Sequence, residues 1–208
     1  MDYKQGIAGN PSGALMDYSN KLEIANHLNQ IVAELDLPDG WERGKKPHRP
    51  SYLLASRFFL SDRDPRVAIT LREPAKKTYD FMEPQHNHFL QLLRRPAHEL
   101  GEDELLNIHL LLDQIAWPAK FKRDWARTTF YPPHNVLQIQ GLWVQERIKS
   151  RAIILDTTFD SGNFVQEIWF VAPAEIFDVY AAECERIFSS FKWTIATEEL
   201  TTYPWASN

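Results

Sequence analysis

His86 and His88 form a His-x-His pair with Asp80 and Glu83 close by, side chains of the types that hold a divalent metal. On a strand both imidazoles would face one way and share an ion. The surrounding pattern is helical, however, and there positions i and i+2 point about 200° apart. Two exposed histidines on a surface helix, and no metal, are therefore expected. His109 stands among leucines and reads as a buried, hydrogen-bonded histidine. Cys184 is the only cysteine, which excludes an intramolecular disulfide and a cysteine-rich zinc site. It lies on the apolar stripe of an expected helix, as a buried inert thiol would.

Nucleophiles and phosphate loops have no pattern here. There is no Gly-x-Ser-x-Gly elbow, and Ser12, Ser56, Ser150 and Ser161 have no patterned base beside them. Gly-x-Gly-x-x-Gly and Walker loops are absent too, and no cofactor is expected. Asp156 and Asp160, with Glu167 on the next strand, offer an acid/base pair across a hairpin. Polar residues on the wet face of an antiparallel sheet are the plainer reading.

Two basic stretches stand out. Arg43, Lys45, Lys46, His48 and Arg49 make a loop that suits a phosphate or an acidic partner, although charge runs are usually solvated connections. Lys120, Phe121, Lys122, Arg123, Trp125 and Arg127 interleave bases with rings, as base-stacking surfaces do. Beside core strands such rings are more often buried, with the basic stems snorkelling outward. The net charge of −5 argues against a dedicated nucleic-acid binder.

The elements that must position these residues follow from periodicity. A helix is expected over 20–35, opened by an Asn20–Glu23 capping box and striped by Leu22, Ala25, Leu28, Ile31, Val32 and Leu35. Pro38-Asp39-Gly40 ends it as a turn. Strands over 52–60 and 66–72 form a hairpin, and helices follow over 79–93 and 102–117. The second of these buries Leu105, Ile108, Leu112 and Ile115. A short strand is expected over 126–131.

The last third is the most regular part. Strands over 136–144, 152–159 and 164–171 alternate as half-buried strands do, with Leu137, Ile139 and Trp143 on one face and Gln138 and Gln140 on the other. Ile153, Leu155, Thr157 and Phe159 share a face of the second strand. A helix over 173–189 buries Phe177, Tyr180, Cys184, Ile187, Phe188 and Phe191, and Ser190-Phe191-Lys192-Trp193 closes the region.

With 44% apolar residues and 208 positions, one packed domain spanning 19–208 is expected, preceded by a flexible tail at 1–18. The N-terminus shows no signal-peptide core, and no run is long and apolar enough for a membrane span. A cytoplasmic location is the expectation.

Meander strands followed by a long C-terminal helix ending in Ser-Phe resemble the PsbP-like superfamily. Its relatives include DcrB-type proteins, a Ran-binding import factor and the Eag-type secretion chaperones. The likeness is carried by Gly141-Leu142-Trp143, Gln166-Glu167-Ile168-Trp169-Phe170, the stretch 177–193 and the Pro38-Asp39-Gly40-Trp41 step. The resemblance implies an α+β class, with an antiparallel sheet packed against helices as a PsbP-like sandwich. A helical insertion at about 76–117 departs from it. It also implies a protein that binds other proteins and does no chemistry.

The leading functional expectation is a non-catalytic adaptor or chaperone that holds an apolar segment of another protein. Its partner surface would be Leu142, Trp143, Val165 and Trp169 on an open sheet face, with Arg43, Lys45, Lys46 and Arg49 as an acidic-partner loop. An enzyme assembled from His86, His88, Glu83 and His134 is the alternative. A subunit that self-assembles or joins a larger assembly is the third.

Overall fold

The structure is a computed structural model, and it describes residues 21–25, 30–44, 57–72, 83–112, 115, 118–157 and 165–194 (side chains of 83–86 and 110 excepted). The expected tail at 1–18 lies outside these residues.

A seven-stranded antiparallel sheet is the frame. Its strands are β3 (Trp41–Arg43), β4 (Arg57–Ser61), β5 (Ala68–Arg72), β6 (Phe121–Tyr131), β7 (His134–Trp143), β8 (Ile148–Asp156) and β9 (Val165–Pro173), in the order β3-β4-β5-β9-β8-β7-β6. A three-stranded sheet holds β1 (Lys21–Ala25), β2 (Ile31–Asp36) and β10 (Lys192–Trp193), with β2 central. Helices α1 (Glu83–Arg94), α2 (Glu102–Asn107) and α3 (His109–Leu112) cover one face of the large sheet. Helix α4 (Ala181–Ser189), reached through a 3₁₀ turn at Phe177–Tyr180, covers the other face together with the small sheet. The expected α+β class holds.

The centre of the large sheet is thus buried on both faces. Every residue of β9 is buried, and the last five of β8 are as well. The expectation of half-buried strands fails because the helices of the middle segment supply the second cover. The expected face assignments within the strands hold. Leu137, Ile139 and Trp143 join the core under α1–α3, while Ile153 and Leu155 join the core under α4.

The helix expected over 20–35 is a correction. Lys21–Ala25 and Ile31–Asp36 are antiparallel strands that pair Leu22 with Leu35 and Ile24 with Ala33. Leu22 and Ile24 are two apart, and both are buried, which is strand periodicity. Strung together, two short alternating runs imitate the helical spacing. Ile31 and Val32, β-branched, also favour the strand. Asn20 of the expected capping box lies outside the described residues.

The helix expected over 102–117 is broken. Its stripe of Leu105, Ile108, Leu112 and Ile115 is buried as expected, but the backbone leaves the helical region at Ile108 (φ −120°, ψ 11°). His109 explains part of the break. Its Nδ1–H donates to the Leu106 carbonyl at 2.6 Å, satisfying an oxygen that the helix would otherwise use.

Two glycines of the expected motifs are required by space. Gly40 has φ +86° in the turn before Trp41, a conformation that side chains resist. A Cβ on Gly141 would stand 2.5 Å from both the Lys122 carbonyl oxygen and the Phe121 ring. The absent side chain lets Phe121 lie across β7 and meet Trp143 at 4.8 Å and Trp169 at 6.2 Å between ring centroids.

Candidate functional site

At one end of the large sheet four elements converge on a half-open cleft of about 50 Å³, lined by Leu90, Leu93, Arg94, His134, Asn135, Asp156 and Trp193. Leu90, Leu93 and Arg94 belong to the last turns of α1. His134 and Asn135 open β7, Asp156 ends β8, and Trp193 ends β10. The small sheet and the helical layer therefore meet the large sheet here.

Local chemistry puts each group in place. A two-residue connection, Pro132-Pro133, joins β6 to β7 and sets Tyr131 opposite His134. Phe191 lies edge-on to Tyr131 at 5.0 Å and to Trp193 at 5.3 Å, and Trp193 lies edge-on to His134 at 5.5 Å. This chain of rings docks the closing phrase of the sequence. β10 adds backbone pairing of Lys192 with Glu34 and of Trp193 with Ala33. Glu34 accepts from Lys192 at 2.7 Å and from Lys21 at 3.2 Å, and the Lys192 hydrogen bond holds its carboxyl below the usual range.

Asn135 closes the end of α1. Its Nδ2 donates to the carbonyls of Leu93 (2.8 Å) and Arg95 (2.7 Å), two acceptors at the helix end. That arrangement fixes the amide, since a flipped group would set Oδ1 against two oxygens. Asn135 is 8% exposed, and its Oδ1 is buried with no hydrogen-bond donor. Burial pushes the His134 imidazole below its ordinary pKa, so it stands in its neutral form at neutral pH.

Asp156 and Glu167 share the helix-covered face of β8 and β9. Asp156 pairs with Val165 and Ile154 with Glu167, so the two carboxylates are diagonal neighbours. Each is 5% exposed, which corrects the wet-face reading. Glu167 accepts from Arg72 at 3.1 Å and from the Trp169 indole at 2.8 Å. A buried charge demands such partners. Asp160, the third member of the expected set, lies outside the described residues.

The expected partner surface is placed differently. Trp143 and Trp169 are each 1% exposed and Val165 is 3% exposed, all three in the core under α1–α3. Leu142 is half-buried. Trp143, Val165 and Trp169 do not form an open groove, because the helical segment occupies that face, and Leu142 lies on the opposite face of its strand. Arg43 is exposed at the end of β3, whereas Lys45, Lys46, His48 and Arg49 lie outside the described residues.

His88 is exposed on α1, and the His86 and Glu83 side chains are not described. Among the described residues no group of three or more His, Cys, Asp or Glu is placed to hold a metal. No helix among them is long and apolar enough to cross a membrane. In the second basic stretch Phe121 is buried, while Trp125 is half-buried against the guanidinium groups of Arg127 (4.7 Å) and Arg151 (5.4 Å). Burial with snorkelling stems describes it well. Burial pushes the Cys184 thiol up to about 12, as expected of an inert cysteine.

Of the cleft residues, sequence reasoning weighed His134, Asp156 and Trp193 and passed over Leu90, Leu93, Arg94 and Asn135. One signal was available for Asn135, a polar pair placed between Pro132-Pro133 and the apolar run of β7.

No family model and no curated protein matches this chain. Among solved structures it is similar to the cyanobacterial PsbP protein, CyanoP, of Synechocystis sp. PCC 6803, with TM-score 0.43 and 10% identity over 89% of this chain and 98% of that one. It is also similar to LpqN of Mycobacterium tuberculosis, a protein involved in cell envelope biogenesis, with TM-score 0.39 and 12% identity over 89% of this chain and 100% of that one. The first bears the family name that the sequence resembles. At these TM-scores neither likeness decides the fold or the function.

Proposed function

We propose that the protein is a non-catalytic binding module, an adaptor or chaperone that holds an apolar segment of another protein at the sheet-end cleft. The observation that carries this reading is the cleft itself, with apolar walls from Leu90, Leu93 and Trp193 over a floor of buried polar groups. Such a pocket, open on one side and built from rigid elements, suits an inserted side chain. The resemblance of the sequence to the PsbP-like superfamily points the same way. The module is cytoplasmic in this reading.

Panning a random-peptide display library against the protein tests it. Enriched peptides should share an aliphatic position, and their binding should be lost in Leu90→Phe, which fills the cleft. It should persist in Val179→Asp, on an exposed residue outside the cleft. Absence of enrichment removes the binding reading, and equal binding to Leu90→Phe removes the cleft from it.

An enzyme is the second reading, favoured by one observation: neutral His134 and buried Asp156 line the same cleft. Turnover of a generic ester or phosphoester by the wild type, lost in His134→Gln, would support it. Equal rates in the two proteins would remove it.

A further inference from the structure

The geometry points to a ligand of defined chemistry, an aliphatic group with a neutral N–H beside it, as a leucine- or valine-like residue of an extended peptide presents. This rests on the binding reading above and names what its cleft recognises.

Three observations combine. First, Asn135 Oδ1 is a buried acceptor with no donor, while Nδ2 of the same amide is fully engaged with the end of α1. Nearly all buried polar atoms in folded proteins are paired, so an orphan beside a cleft marks a place for an incoming donor. Second, the cleft volume of about 50 Å³ suits a small branched side chain and excludes an aromatic one. A single water needs only about 10–15 Å³ on that measure. Third, the charged groups facing the space are of both signs, Arg94 and Asp156, and the imidazole beside them is held neutral by burial. A net charge on the ligand gains little from such a pair, whereas a neutral amide is accepted.

Other features carry less. The cavity of about 130 Å³ between α2, α3 and β6 has no buried, unpartnered polar atom among its described lining residues. The Trp125 platform has its arginines engaged, Arg151 with Gln140 and Glu185 and Arg127 with Gln138.

Two small probes of one shape test the inference. N-methylisovaleramide carries the N–H, and methyl isovalerate replaces it with oxygen. Each is titrated into the full chain while the methyl signals of Leu90 and Leu93 and the side-chain amide of Asn135 are followed by NMR. The amide should shift all three, and the ester should bind at least about fivefold more weakly, the smallest effect expected when a buried acceptor is left unpaired. Leu90→Phe should abolish both titrations. Substituting Asn135 also uncaps α1, so the probe pair and Leu90→Phe carry the test. Equal affinity of amide and ester overturns donor recognition while leaving peptide binding intact. Silence with both probes, in a protein that enriches peptides, overturns it as well.

Discussion

The two faces of the large sheet bury apolar surface in different ways. Toward α4 and the small sheet, Leu22, Ile24, Leu35, Phe170, Phe188 and Phe191 close a core whose buried polar side chains, Ser61, Gln138 and Gln166 among them, are uncharged, and its charged links sit at its edge. There Trp41 Nε1 donates to Glu183 at 2.6 Å and Arg63 reaches the same carboxylate from an exposed position. Toward α1–α3, charge and hydroxyl are enclosed with the aromatic rings. Arg72 and Glu167 pair there, and Thr70 and Ser150 are buried with hydroxyls that find no partner. The first face buries only uncharged side chains. The second also buries the charges of Asp156 and Glu167, and the cleft opens from it.

This contrast can be broken by substitution, and the largest effect belongs to the buried pair. Glu167→Ala leaves the Arg72 charge without its carboxylate and should cost about 3–5 kcal/mol in urea unfolding. The double change Arg72→Met with Glu167→Leu should recover most of that loss. The edge carboxylate gives the comparison. Glu183→Ala should cost about 1 kcal/mol, because the indole bond is lost while the ion pair that goes with it frees an Arg63 already in water. Similar losses for the two alanine variants would erase the distinction between the faces.

Gly141→Ala comes next. Its methyl meets a backbone carbonyl and a core ring, and overpacking of this kind costs about 1–3 kcal/mol. The melting temperature should fall. An unchanged value would show that Phe121 can move aside at no cost.

A smaller effect depends on pH. The folded pKa of His134 lies below its unfolded value of about 6.5, so the unfolded chain binds more protons in that interval. Stability is therefore highest above the ordinary histidine value and falls as pH drops through the interval toward the folded pKa. His134→Gln should flatten this part of the profile. The carboxylates Glu34 and Glu104, both lowered, keep their own loss of stability at more acidic pH. A wild-type profile that is flat through the histidine interval would contradict the burial of His134.

Much of this arrangement was legible in the sequence, and the failures have physical causes. The last third could be read because each strand, and the helix after it, carries its own period over a length that fixes the element. Phe177, Tyr180, Cys184, Ile187, Phe188 and Phe191 are all buried as the spacing requires. Strands β1 and β2 could not be read, because alternation in two short runs such as Leu22-x-Ile24 also satisfies a helical stripe. Trp143 and Trp169 were ambiguous for another reason. The sequence left open which face of their strands points inward, because that depends on where a distant helix packs, and no local pattern states it. The cleft is the extreme case: Leu90, Asn135, Asp156 and Trp193 come from four elements of two sheets and a helix.

The central claim is that the sheet-end cleft is where a partner segment is held. Its most direct test is the affinity of display-selected peptides for the wild type and for Leu90→Phe. The account predicts a loss of at least about tenfold in that variant, or about 1.4 kcal/mol, with folding stability nearly unchanged. Equal affinity for the two proteins would contradict it.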